Sequence, residues 1–184
     1  MTLLMKATEL VGLPVVTVDG GEDVAEVRDV VYEPEAGRLV GLTLNKRGFF
    51  AGRMAEMLTI DGVHAIGRNA VMIKDPSVLM APGDAPEVAA QGPERNVLGN
   101  EVLTDGGTRI GTVRDLVVVV GGDGRVVGYQ MDKDGGGVAY IPLPSQMAVS
   151  GSTLVVPDAT SDFVIDDLVG LGAAVDEFRA RLGL

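Results

Sequence analysis

Two pairs of adjacent, oppositely charged residues stand in matching surroundings. Arg28-Asp29 lies within Val27-Arg28-Asp29-Val30-Val31, and Arg114-Asp115 within Val113-Arg114-Asp115-Leu116-Val117. A guanidinium beside a carboxylate can orient a polar ligand or pair with a partner protein. Neighbouring strand residues point to opposite faces, however, so such a pair does not converge on one point. The favoured reading has each Asp satisfying turn backbone and each Arg covering a rim. Partner binding by Arg28, Asp29, Arg114 and Asp115 is the functional alternative.

Other candidate chemistry is thinner. His64 is the single histidine, and with no Cys in the chain it lacks the company a zinc site or a triad needs. Asp132-Lys133-Asp134-Gly135 superficially resembles a calcium loop, but Pro142 to Met147 offers no acidic ligand further on. A solvated hairpin is the simpler reading. The glycine runs at Gly121 and Gly135 do not precede helices, so neither is a phosphate cradle. No activated nucleophile and no paired carboxylates occur at a recognisable spacing. The expectation is no catalytic residue, no cofactor and no metal.

The elements around the dipeptides are themselves repeated. Asp19-Gly20-Gly21 returns as Asp105-Gly106-Gly107, and Gly37-Arg38-Leu39-Val40-Gly41 as Gly124-Arg125-Val126-Val127-Gly128. A fixed-period echo sets architecture before any local assignment. It predicts an all-β fold of two tandem small β-barrels, packed with pseudo-two-fold symmetry, plus a C-terminal helix. The expected boundaries are 1–75 for the first domain, 76–96 for a Pro/Gly-rich linker, 97–158 for the second domain and 159–184 for the helix.

The totals narrow the roles. The 184 residues are 46% hydrophobic with no Trp, so aliphatic side chains must fill the cores. The formal net charge of -11 disfavours general nucleic-acid binding and repels anionic membrane surfaces. The absence of Cys excludes disulfides and thiolate chemistry. No apolar run reaches the ~18 residues of a membrane span. The default expectation is a soluble cytoplasmic protein.

Strands are expected at Pro14 to Val18, Val24 to Glu33 and Arg38 to Asn45, with a hairpin at Pro34-Glu35-Ala36-Gly37. The second strand alternates imperfectly, since Val24, Val27, Val30 and Val31 do not keep to every second position. Phe49 to Gly52 reads as a bend or short strand. In the second copy, Leu116 to Val120 is an unbroken apolar run, which predicts burial on both faces. The tail changes period: Val164, Leu168, Leu171, Val175, Phe178 and Leu182 form one helical stripe. Ser161 or Asp162 is the expected cap, and Gly170 and Gly172 are expected to bend or break the helix. That stripe must bury itself on a barrel or on a second chain.

Taken jointly, Gly12-x-Pro14-Val15-Val16, Asp19-Gly20-Gly21, Val27-Arg28-Asp29-Val30-Val31, the Pro-x-x-Gly-Arg hairpin and Val40-Gly41-Leu42 resemble a PRC-barrel domain. So does the run from Val63 to Val71. In the second copy, Ile141-Pro142-Leu143 with Val155-Val156 resembles the closing strands of that family. The first copy departs there, with Leu58-Thr59-Ile60. The resemblance implies a small β-barrel. Family settings include the cytoplasmic subunit of photosynthetic reaction centres and the C-terminal domain of ribosome-maturation factors. What they share is binding to other proteins, and fold alone does not hand over function.

Three functional readings follow. The first is a non-enzymatic interaction scaffold or adaptor, with unknown protein partners and a homo-oligomer contact through the tail helix. The second is an accessory factor for ribosome or RNA processing that docks on a ribosomal protein. The third is a small-ligand binder in the cleft between barrels.

Overall fold

The computed structural model describes residues 3–90 and 97–182, and Leu182 by its backbone alone. Contacts divide the chain into two units. One is Ala7–Gly92 together with Val119–Arg125; the other is Met1–Lys6, Pro93–Val118 and Val126–Leu184.

The strands of the first half are β1 (Leu4–Lys6), β2 (Pro14–Thr17), β3 (Asp23–Glu33), β4 (Arg38–Asn45), β5 (Arg53–Thr59), β6 (Val63–Ile66), β7 (Val71–Ile73) and β8 (Leu79–Met80). A four-residue helix, α1, follows at Pro86–Ala89. The strands after β1 form one sheet in the order β6-β7-β2-β3-β4-β5-β8. Neighbours run antiparallel except β2 and β7, which pair in parallel with Val15 opposite Val71.

The second half repeats this plan with β9 (Glu101–Thr104), β10 (Arg109–Val119), β11 (Val126–Asp132), β12 (Val138–Pro142), β13 (Ala148–Ser150) and β14 (Thr153–Val156), then α2 (Leu168–Leu182). Its sheet order is β12-β11-β10-β9-β14-β13, with β1 pairing β10. Read from the other end, six strands recur in the same order. The parallel pair recurs too, as β9 and β14, with Val102 opposite Leu154. The fold is all-β, tandem and barrel-like with a C-terminal helix.

Three register shifts fall at equivalent places in both copies. The β2–β3 ladder skips between Val15 and Val16, and β9–β10 between Arg109 and Gly111, leaving Val24 and Ile110 unmatched. The β3–β4 ladder shifts between Val27 and Asp29, and β10–β11 between Val113 and Asp115. A further shift lies between Val31 and Tyr32, and between Val117 and Val118. An extra residue in one strand bends it and raises its twist, which is how a short sheet curls toward a barrel. The first two shifts explain the broken alternation of β3, because the extra residues Val24 and Arg28 each reset its inward–outward phase by one residue.

Aliphatic side chains fill both cores, as a chain without Trp requires. Leu10, Val15, Ala25, Val27, Leu42 and Leu58 are fully buried in the first unit; Val102, Val117, Tyr129, Ile141 and Leu154 are fully buried in the second. The apolar run of the second copy is buried from Leu116 to Val119.

Of the expected linker, residues 76–90 carry structure and 91–96 lie outside the described residues. Pro76–Val78 forms a 3-10 turn, β8 adds to the sheet beside β5, and Ala85 and Val88 pack on Val31 as a buried cluster. The tail differs from expectation at its start. Residues Asp158–Phe163 form a 3-10 helix, Ile165 bridges Tyr140, and the α-helix begins only at Leu168. The Asp167 carboxylate, not Ser161 or Asp162, accepts the Gly170 N–H (2.7 Å). The helix runs through both glycines. A side chain on Gly170 would lie 2.7 Å from Ile165, so this glycine lets the first turn approach the preceding strand-like segment.

Candidate functional site

The bulge on the second strand of each copy places the two Arg–Asp dipeptides. Arg28 is the unmatched residue between the pairs Val27–Leu44 and Asp29–Thr43, and Arg114 that between Val113–Met131 and Asp115–Gln130. A bulge leaves a backbone N–H out of line with the ladder. The carboxylate supplies an acceptor: Asp29 Oδ1 accepts from Val30 N–H (2.8 Å), and Asp115 Oδ1 from Leu116 N–H (2.8 Å). Asp115 is buried, whereas Asp29 is exposed. Arg28 is half-buried, and Arg114 is exposed and ion-paired to Asp132 (3.0 Å). Both acids are therefore engaged by backbone.

The other candidates also resolve into ordinary structure. His64 is exposed on β6. Asp132, Lys133 and Asp134 sit at the β11–β12 hairpin and each meets an ion of opposite sign: Arg114, Asp166 and Arg109 respectively. No cluster of three metal-binding side chains occurs among the described residues.

The tail residues divide. Leu171, Val175 and Phe178 are buried within their own unit, where α2 lies against β1, β11 and β12. Leu168 is half-buried on the helix, and Val164 is half-buried but precedes it. The side chain of Leu182 lies outside the described residues. Phe178 meets Phe163 edge to face at 5.1 Å, and Arg181 stands 5.6 Å from the Phe163 ring centroid and pairs with Asp162 (3.0 Å). Leu171, Val175 and Phe178 thus pack within their own unit and are not presented to a partner.

A glycine seats a helix in each unit. Gly41 and Gly128 hold equivalent places in β4 and β11, opposite Thr59 and Pro142. A side chain on Gly41 would meet Val88 of α1 and the Leu58 carbonyl; one on Gly128 would meet Leu171 of α2 and the Ile141 carbonyl. The register also makes Leu58-Thr59-Ile60 the counterpart of Ile141-Pro142-Leu143. The divergent sequence of the first copy occupies the same strand.

Sequence reading passed over one surface feature. Phe49 and Phe50, half of the four phenylalanines in the chain, are fully exposed at the β4–β5 hairpin. The available signal was their setting. Aromatics flanked by Gly48 and Gly52 and by Lys46, Arg47 and Arg53 do not match the alternation of either adjoining strand.

Strand order, three bulges and a glycine-seated helix define the same class of small β-barrel domain in both halves. Residues 4–80 match the family model of the PRC-barrel domain. Comparison with curated proteins returned no match for the chain. No helix among the described residues is long and apolar enough to cross a membrane.

Proposed function

We propose that the chain is a non-enzymatic interaction scaffold built from duplicated PRC-barrel units. One observation carries this reading. In both copies the strongest candidates for chemistry, Asp29 and Asp115, serve the backbone of an equivalent bulge. Groups fixed in that way hold a surface in shape, and the protein-binding settings of PRC-barrel domains support its use as a docking platform.

The test uses the full chain as bait in native lysate, followed by reconstitution of any recovered complex from two purified components. The expected result is a defined protein partner, bound at fixed stoichiometry. Binding should persist in Asp29→Asn and Asp115→Asn, which keep the acceptor oxygen and the fold. Failure of every candidate to reconstitute would defeat the scaffold reading.

A further inference from the structure

The β4–β5 hairpin is built firmly and ends in exposed apolar side chains. Lys46 N–H donates to Gly52 O (2.9 Å), and Ala51 N–H to Gly48 O (3.1 Å). Arg47 is held at its base by Asp23 (2.6 Å) and Glu26 (2.8 Å) of β3. At the tip, Phe49 and Phe50 are 103% and 102% exposed, their rings 6.5 Å apart at 61°.

The second copy shows that closing this hairpin requires no aromatic. Its counterpart, Lys133-Asp134-Gly135-Gly136-Gly137, makes the same kinds of bond: Lys133 N–H to Gly137 O (2.9 Å) and Gly136 N–H to Lys133 O (3.1 Å). The phenylalanines are thus an addition to a loop that folds without them. Isolated exposed apolar residues are ordinary, but two adjacent phenylalanines without packing form a small patch.

The surrounding charge is unusual for this chain. From Lys46 to Ala55 there are three cations, Lys46, Arg47 and Arg53, and no acid, in a protein of net charge -11. Asp23 and Glu26 offset Arg47, so exposed Lys46 and Arg53 supply the local attraction for an anion. Repulsion from the acidic remainder is screened beyond ~8 Å at physiological ionic strength.

Area separates the kinds of occupant. Two phenylalanines offer ~150–250 Å² each, well short of the ~800 Å² per partner in a stable protein interface. A bilayer interface needs no matching pocket, and it combines apolar insertion with attraction of cations to anionic headgroups. We propose that the Phe49–Phe50 tip, flanked by Lys46 and Arg53, docks the chain on an anionic lipid-bilayer surface. This rests on different residues from the scaffold reading, and either can fail without the other.

The chain has no Trp, so Phe49→Trp introduces a single reporter at the tip. Vesicles of phosphatidylcholine mixed with phosphatidylglycerol should sediment the protein and shift its emission to the blue; phosphatidylcholine alone should do so weakly. The Phe49→Ser/Phe50→Ser variant should unfold at the wild-type temperature yet bind at least about tenfold more weakly. Lys46→Gln/Arg53→Gln should lose the preference for phosphatidylglycerol. Equal binding by the serine variant would overturn the proposal, as would failure of wild type to bind either vesicle. Self-association of wild type that the serine variant abolishes, without vesicle binding, would assign the tip to a second copy instead.

Discussion

Gly41 and Val88 meet where β4 leaves no room for a side chain. A Cβ on Gly41 would overlap Val88 and come within 2.6 Å of the Leu58 carbonyl, which is backbone and cannot rotate away. The contact joins a residue inside the repeat to one from a stretch whose prolines suggested a linker. It makes α1 the counterpart of α2 in the other unit, where Gly128 and Leu171 stand in the same relation.

Gly41→Ala and Gly128→Ala should each destabilise by ~1–3 kcal/mol, the cost of overpacking a filled core. Gly52→Ala, which meets nothing within 4 Å and has no left-handed backbone, should stay within about 0.5 kcal/mol of wild type. Urea unfolding followed by circular dichroism would separate them. Equal midpoints for all three would remove the seating role.

The two bulge acids should differ although their bonds match. Asp115→Ala leaves a buried N–H without its carboxylate and should cost ~1–3 kcal/mol; Asp29→Ala, where water can replace the acceptor, should cost less than about 1 kcal/mol. Asp115→Asn keeps an acceptor oxygen and should fall between them. The order of urea midpoints reads this directly.

Phe178 is 1% exposed and packs edge to face on Phe163. Phe178→Ala should destabilise by ~3–5 kcal/mol. Val169, 83% exposed on the same helix, should tolerate Asp with a change under about 0.5 kcal/mol. Thermal unfolding with light scattering would show whether packing in cis accounts for the helix. A fall in mass for Phe178→Ala, without loss of stability, would contradict that account.

Gly124 holds φ +61°, and a Cβ there would come 2.5 Å from Ile60 Cδ1. Its carbonyl accepts from Leu39 N–H (2.8 Å) within the first unit. Gly124→Ala combines a left-handed penalty with crowding and should cost ~1–3 kcal/mol. Loss of amide-exchange protection at Leu39 would mark the site of damage.

Asp75 caps the turn at Pro76–Val78. Hydrogen bonding from the Ser77 side chain, then from the Ser77 N–H (2.8 Å), holds its carboxyl below the ordinary Asp value. A depressed folded-state pKa contributes stability above the unfolded value, lost as pH falls through the folded one. An NMR titration should therefore find Asp75 ionised below the usual carboxylate range, with the Ser77 amide shifting alongside it. Titration at the ordinary value would exclude the cap.

Repetition was legible because Val27-Arg28-Asp29 and Val113-Arg114-Asp115 form the same bulge with the same residue types. The phase of β3 was not, since period-two reading assumes an unbroken ladder and Val24 and Arg28 each interrupt it. Helix α1 was hidden by its own chemistry: proline at the first helical position starts a helix, yet prolines in series read as linker. The spacing of Val164 to Leu182 carried the helical face, but Ile165 takes a bridge to Tyr140 and delays the start. Phe49 and Phe50 break the alternation of both adjoining strands, which marks a loop, but periodicity carries no sign that both rings are fully exposed.

The side-by-side pairing of β2 with β7, and of β9 with β14, has a consequence for synthesis. Each copy keeps an open edge until its far strand leaves the ribosome, so the nascent chain waits for a distant segment. While β9 waits for β14, the earlier strand β7 has already been made and holds the equivalent place in its own sheet, so it is the available competitor for β9, the kind of misassembly to which tandem repeats are prone.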